Sequence, residues 1–569
     1  MASITVITEA EDAEPVHASS LEIESSLLSQ PEQVVRSAGI VSIAVTLSRI
    51  SGLAREMVMA YAFGAGASHD AFLLGFRIPN LTRDLVGEGA FSSAFVPTFT
   101  KSLVHSGDPS ADRRDAQELA GQVTSAILVI VGTLCLLGML FAPLLVGLIA
   151  PGFKADPAKF ALAVRLARIM FPFLLLISLS SQVTGMLNAR GSFGRPAAAS
   201  IFFNIGAIAV GLFLGYVIGP SINLNPIEGM AYGIVAGGAL QLAWQLPRLR
   251  EMGFRFIPLW KCTHPGLRHL GKLMLPAFLA SLAMQINLAV NTSFASRFVD
   301  PLRGADGPVS WLGYALRFIQ FPMGIFAVAM ASAMLPSVSR SAASLNFNEF
   351  RTTLSRSLSV VFFLTLPSSL LLIVLGRAIT GSVYQSGHFQ LYDTQQTAVA
   401  LACYATGLVS FAAARLMTPA YYALSDSRTP MYLAVMSIGV NVTLPIFLLQ
   451  VMHMSFAAMA LTTSIAMSLE AICLFEGLRR KLHGLDGRYL MNRFTRILSA
   501  ALFMAAPLAL IDHQFILYVT PARPGYLLEL ATLLPLAVVL FIAACKLFRV
   551  EEIRAASRIL SKMLPRLSS

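Results

Sequence analysis

Ser48-Arg-Ile-Ser-Gly-Leu-Ala-Arg-Glu56 and Phe76-Arg-Ile-Pro-Asn-Leu-Thr-Arg-Asp-Leu-Val-Gly-Glu88 set full charges inside two apolar runs, 37–62 and 71–100. Each run exceeds the roughly 20 residues that a bilayer-spanning helix needs. An ionised side chain at bilayer depth costs at least about 2.5–3.5 kcal/mol. Such charges must face water, one another or an anionic cargo. The two stretches therefore predict a polar interior within a membrane protein, and function is to be sought there.

Composition agrees. The 569-residue chain is 56% hydrophobic and 13% charged, against roughly 25% charged in soluble domains. Further apolar runs lie near 119–150, 160–187, 197–218, 229–247, 270–296, 309–338, 353–376, 396–424, 431–452, 455–477, 494–517 and 525–548. The reading is an all-α polytopic membrane protein of about fourteen transmembrane helices. Gly, Pro and Asn clusters such as Pro151-Gly152, Gly219-Pro220 and Pro301 to Pro308 separate the runs. Lys and Arg are densest at Arg248 to Lys272, Arg479 to Arg496 and Lys546 to Arg566. The positive-inside rule then puts both termini in the cytoplasm. On this reading the net charge of +12 reports topology and attraction to anionic membrane lipids; nucleic-acid binding is the weaker alternative, because the basic residues are spread over many loops. Residues 1–35 lack a signal-peptide core and read as a disordered cytoplasmic tail. Cys262, His264 and His269 are neighbours without a second ligand pair, so no metal site is expected.

A repeat organises the helices. Phe91-Ser-Ser-Ala-Phe-Val-Pro-Thr-Phe-Thr-Lys-Ser102 recurs as Met330-Ala-Ser-Ala-Met-Leu-Pro-Ser-Val-Ser-Arg-Ser341, and Ala189-x6-Pro196 as Ala423-x6-Pro430. The shifts, 239 and 234 residues, each span six helices, so the copies share one orientation. Two parallel-repeat lobes with a substrate between them are a transporter architecture. The expected division is a tail at 1–35, six-helix lobes at 36–252 and 253–485, two additional helices at 486–549, and a basic cytoplasmic tail at 550–569.

On a helical wheel Ser48, Arg49, Gly52, Arg55 and Glu56 share one face, with Ile43, Val45, Leu47, Ile50 and Met57 opposite. Arg77, Asn80, Asp84 and Glu88 share a face of the second helix, and Arg83 points aside. Asp70, at that helix's start, is placed to pair with Arg55 or Arg77. One reading makes Glu56, Asp70, Asp84 and Glu88 structural or gating ion pairs. The arginines, with Arg317 from the second lobe, outnumber those acids, and guanidinium suits bidentate phosphate contact. An anionic cargo is thus expected. Gly87, Gly89, Pro322 and Gly324 interrupt two helices and are candidate hinges, close packing through small residues being the other reading. No nucleophile–base pair, P-loop or HExxH motif is present.

The motifs Ser48-Arg-x-x-Gly-x-x-Arg-Glu56, Phe63-Gly-Ala-Gly66, Asp70-Ala-Phe72, Phe76-Arg-Ile-Pro-Asn-Leu81, Glu88-Gly-Ala-Phe-Ser-x-Ala-Phe-Val-Pro97 and Asn291-Thr-x-Phe-Ala-Ser296 closely resemble the MurJ (MviN) family of lipid II flippases. The resemblance runs from about residue 37 to about 545 and implies an inner-membrane flippase of the multidrug/oligosaccharidyl-lipid/polysaccharide exporter superfamily. It implies lipid II, the undecaprenyl-diphosphate-linked peptidoglycan precursor, as cargo, moved by alternating access, with membrane lipids and cell-wall synthesis proteins as candidate partners. Arg49, Arg55, Arg83 and Arg317 match the family's critical arginines, and Asp70 its outer acid. Arg77, Ser48 and Asn80 complete the expected substrate site, and the last two helices match a lipid-tail groove. The chain departs from the pattern at Leu316, where relatives commonly carry Asp. Where some relatives bind sodium through acids, it has Asn287, Asn291 and Asn441. No cofactor is expected, and a chloride or sodium counter-ion stays open.

Rival readings are an exporter of another polyprenyl-linked oligosaccharide or of a drug, a membrane-embedded polyprenyl-lipid transferase, and a non-transporting scaffold. A cationic-drug pump calls for an acidic cavity, and a transferase calls for a large aqueous loop bearing acids or bases.

Overall fold

The computed structural model describes residues 31–83, 90–104, 108–261, 263–452 and 454–553. Its first half contains α1 (Pro31–Phe63), α2 (Ala67–Arg83), α3 (Ala90–Ser102), α4 (Pro109–Leu140), α5 (Ala142–Ile149), α6 (Pro157–Ala189), α7 (Gly194–Ile222) and α8 (Pro226–Glu251). The second contains α9 (Pro265–Arg297), α10 (Pro308–Ala343), α11 (Phe347–Val374), α12 (Gly376–Tyr384), α13 (Leu391–Ala405), α14 (Leu408–Ala423), α15 (Arg428–Gln450) and α16 (Ala458–Lys481). The helices α17 (Gly487–Tyr518) and α18 (Arg523–Leu547) follow.

Among the described residues, nine helices are long and apolar enough to cross a membrane, and a tenth span results if α13 and α14, bent by 45°, count as one. The remaining expected spans fall on α1, α2 with α3, α8 and α9, which are helical. Two expected helices are broken. The run 119–150 divides at Phe141, before Ala142-Pro143, and 396–424 divides at Thr406-Gly407, where missing N–H groups or glycine freedom weaken the helix.

Starts are set by short polar side chains. Asp108, Asp156 and Asn225 accept from the first free N–H groups of α4, α6 and α8, the usual capping chemistry. His264 does the same for α9: its Nδ1 accepts from Gly266 N at 3.0 Å while Nε2 meets Asp115 Oδ1 at 3.0 Å. That capping role accounts for a histidine in the basic loop.

Packing between α7 and α8 runs on glycine. A Cβ at Gly229 would lie 2.4 Å from Gly215 Cα, and one at Gly233 2.4 Å from the Ala207 carbonyl oxygen. In lipid, where helices gain nothing by hiding apolar surface from water, such backbone approach supplies the attraction.

The arrangement of cores positions the site. One core joins both halves at the end marked by Gly64, mixing Met59, Ala60 and Phe72 with Trp311, Tyr314, Tyr384 and Phe389. Toward the other end the cores divide. Phe95, Leu119, Val183 and Leu249 pack in one, which Leu270 of α9 joins. Met334, Leu354, Leu416 and Leu478 pack in another. The halves are thus fused at the Gly64 end and, α9 apart, which packs on the first-half core, are packed separately at the opposite end. The segment between them lies along α4, where Leu259 N donates to the Gly121 carbonyl at 3.0 Å.

Candidate functional site

Charge collects on α1 where it faces α10. Ile43, Val45, Leu47 and Ile50, four of the five residues the wheel sets opposite the charges, are exposed on the outer side of α1, while the fifth, Met57, packs against the core that joins the halves. On the inner side Glu56 is buried at 8% exposure. Its Oε1 accepts from Arg55 Nη2 at 3.0 Å and meets Arg317 Nη2 at 3.1 Å. One carboxylate therefore joins guanidinium groups from the two halves of the chain. Aromatic faces hold Arg55 in place, with Phe76 at 5.9 Å and Phe203 at 5.4 Å, a geometry that favours cations.

Arg49 is exposed and lies against α10 at Gly324. A Cβ there would come within 2.5 Å of Arg49 Nη2, so only glycine leaves room for the guanidinium in this pose. Gly324 falls in a π-helical turn, Met323–Ala327, directly after Pro322. Proline supplies no N–H to the preceding ladder, and such turns often mark functional positions. Helix α10 nevertheless continues through this point.

Arg77 of α2 bonds the Thr292 hydroxyl of α9 and lies within Coulombic range of Arg317. Asn80, one turn on, has a buried Oδ1 with no partner among the described residues. Ser48 contributes its carbonyl, which accepts from Ser51 Oγ at 2.9 Å and Asn204 Nδ2 at 3.4 Å. Arg83 closes α2, and its side chain lies outside the described residues, as do Asp84, Gly87, Glu88 and Gly89 altogether. Among the described residues, one carboxylate stands amid four guanidinium groups: Arg49, Arg55, Arg77 and Arg317. That surplus is an anion-attracting field. Arg317 is 42% exposed at its side chain, so the cluster is open on one side.

The expected Asp70 pairing is corrected. Asp70 reaches neither Arg55 nor Arg77, because it stands on the first turn of α2 at the Gly64 end, two turns from Arg77. It is fully buried and holds Lys159 Nζ at 2.8 Å. It also accepts from Gly307 N at 2.9 Å and from Ser310 N at 2.8 Å and Oγ at 2.5 Å. Gly307 caps α10 with no side chain of its own, so an acid from the first half supplies the cap of a second-half helix. His69 reinforces the junction: Nδ1 lies 2.9 Å from Ser310 Oγ, and its ring stacks on Tyr314 at 4.6 Å. Tyr314 Oη donates to the Gly64 carbonyl at 3.2 Å, and His388 N to the Tyr61 carbonyl at 3.0 Å.

Sequence reasoning missed Lys159, His69, Ser310 and Asn204. Lys159 follows Pro157 at a helix start, where a lysine reads as headgroup-facing. Asn204, a lone amide in the apolar run of α7, was the one legible signal. Asn287, Asn291 and Asn441 do meet. Asn441 Nδ2 bonds Asn287 and, at 3.0 Å, Asn291 Oδ1, while Asn291 Nδ2 reaches Thr463 Oγ1 at 2.9 Å. Their amides satisfy one another and bring no carboxylate, so they do not fit an acid-built sodium site. Among the described residues no group of three or more His, Cys, Asp or Glu is placed to hold a metal ion.

The sequence model described as Lipid II flippase MurJ matches residues 59–524. The chain belongs to the MurJ family. The match takes in Asp70, Arg77, Arg83 and Arg317, whereas Arg49 and Arg55 lie outside it. The lipid II flippase MurJ of Burkholderia cenocepacia is 34% identical over 465 residues, covering 81% of this chain and 86% of that one. Among solved structures, a lipid II flippase MurJ in an inward closed conformation is 26% identical with a TM-score of 0.72, covering 90% and 99% of the two chains. A multidrug resistance MATE transporter of the MOP superfamily, inward-facing, is 14% identical with a TM-score of 0.63, covering 77% and 94%. That last likeness concerns the fold alone.

Proposed function

We propose that this protein flips lipid II from the cytoplasmic to the outer leaflet of the bacterial inner membrane, both termini lying in the cytoplasm. The observation that carries this reading is the guanidinium surplus contributed by both halves, with Glu56 bridging Arg55 and Arg317. A diphosphate presents several acceptor oxygens and at least two negative charges. Entering beside Glu56, it competes for the same two guanidinium groups and recruits Arg49 and Arg77, with Arg83 at the end of α2. Guanidinium forks meet phosphate oxygens two at a time.

Alternating access follows from how the halves join. The Asp70 cap and the Tyr314 and His388 contacts close the Gly64 end, which the positive-inside rule makes the outer face. Separate cores at the other end let the halves part there for the head group. The polyprenyl tail stays in lipid, beside the exposed apolar faces of α17 and α18, where Leu510, Leu517, Leu527 and Val538 lie outward. Pro322 and Gly324 act as the hinge of α10. The lobes divide at about residues 252 and 485.

Depletion of the protein tests this reading. Lipid II should accumulate on the cytoplasmic leaflet, and wild-type protein should clear it. Arg55→Ala or Arg317→Ala protein, inserted and folded, should leave it there. Normal peptidoglycan synthesis in either variant would contradict the reading, and unaltered lipid II sidedness on depletion would favour the scaffold alternative.

A further inference from the structure

The last two helices carry charge that the cargo site does not use. Asp512 of α17 and Glu529 of α18 lie on either side of the connecting turn, each about two helical turns in from it. They are 9% and 2% exposed. Arg377 of α12 meets Glu529 Oε2 at 3.3 Å. Its guanidinium lies over the Tyr526 ring at 5.4 Å, and that ring packs on Gly381. Asp512 comes within hydrogen-bonding reach of Glu529.

The hydrogen-bond accounting fails if both acids are ionised. Asp512 Oδ1, Glu529 Oε1, Arg377 Nε and the hydroxyl of buried Tyr526 have no partner among the described residues. Ionised carboxylates only accept. Two of them against one guanidinium leave a net negative charge in a dry place, together with acceptor oxygens that lack a donor. One proton cures both faults: it balances the charge and turns one carboxyl into a donor for the other, as in other close carboxyl pairs.

We propose that Asp512 and Glu529, with Arg377 as counter-charge, form a proton-binding site that holds one proton shared between the two carboxyls. The groups facing it are Arg377 from α12 and Tyr526 from α18. Arg523, at the start of α18, is occupied with the Ser382 carbonyl at 3.0 Å. His513 of α17 is exposed, and Glu349, Arg351 and Arg356 lie at the far end of α11. Helix α12, which carries Arg377, also places Tyr384 in the core that joins the two halves. The site stands apart from the arginine cluster and does not depend on the identity of the cargo.

Infrared difference spectroscopy on the full-length protein in nanodiscs tests it. Wild-type-minus-variant spectra at neutral pH should contain one protonated-carboxyl carbonyl band for Glu529→Gln and the same band for Asp512→Asn. Either amide lets the remaining acid ionise. The charge-free double variant, which keeps volume and hydrogen bonding, should lack that band too. In wild type the band should vanish in a single step as pH rises, with a midpoint unmoved by tenfold more sodium. Difference spectra without the band would mean that both acids are ionised and would overturn the proposal. A midpoint that moves with sodium would overturn it in favour of a metal cation.

Discussion

Removing Asp70 should open the Gly64 end of the protein. The Asp70 carboxylate receives the Lys159 ammonium, two backbone N–H groups and the Ser310 hydroxyl. Breaking a buried ion pair by deleting one partner costs about 3–5 kcal/mol. Here Lys159 keeps Asp306 at 2.9 Å and the Ala305 carbonyl at 2.8 Å, which favours the lower end of that range. Loss of a helix cap adds about 1 kcal/mol. Asp70→Ala should therefore weaken the junction by roughly 4 kcal/mol, close to a thousandfold in the closed-to-open ratio. Asp70→Asn keeps an acceptor for the N–H groups and should lose about half as much. Spin labels at exposed Ser221 and Leu302, measured by pulsed electron–electron resonance, read the separation of the halves at this end. Wild type should give one short distance, and Asp70→Ala a broadened, longer one. The Asp70→Ala/Lys159→Met pair supplies the control: if the ion pair is the latch, the double variant should be less open than the sum of the singles. Strict additivity, or an unchanged distance in Asp70→Ala, would refute the latch.

Three further outcomes follow from the geometry. Gly324→Ala should push the Arg49 guanidinium from α10, leaving the fold intact and lowering translocation severalfold; an additional Arg49→Ala should cause little further loss if the two act together. Arg55→Lys and Arg317→Lys should restore flipping only partly in the depletion assay, since ammonium lacks the planar fork; full rescue at both positions would reduce the site to bulk charge. At the loop between α14 and α15, burial alone would raise the Asp426 carboxyl, but Lys481 and Thr429 override it and hold it well below the usual carboxylate range. A depressed value in the folded state stabilises above the ordinary carboxylate range and is lost as pH falls through the folded value. Asp426→Asn should thus cost about 1 kcal/mol at neutral pH and progressively less in strong acid, followed by thermal melting of the purified protein.

Much of this architecture is written in hydropathy, because a lipid environment demands long apolar runs and penalises each charge within them. Arg49, Arg55 and Glu56 stand out in sequence for that reason, and the lipid face of α1 follows from simple periodicity. What the sequence leaves dark is which distant charge meets which. Glu56 and Arg317 are separated by the rest of the first half and by α9, and Asp70 reaches a helix cap rather than an arginine because its position at the first turn sets its height in the bundle. Lys159 illustrates the limit from the other side: a lysine beside a helix start is ordinary at a membrane surface, and only the packed structure makes it a buried counter-ion. The broken helices at Phe141 and Thr406 follow from weak local stop signals that an apolar average conceals.

Direct binding tests the central claim. Purified wild-type protein in nanodiscs should bind lipid II in competition with undecaprenyl diphosphate, which shares the charged head, and far less with the uncharged prenol. Each hydrogen-bonded contact to a charged group is worth about 1.5–3 kcal/mol, so Arg55→Ala or Arg317→Ala should weaken binding by about tenfold or more. Equal affinity of both variants and wild type for lipid II would contradict the account.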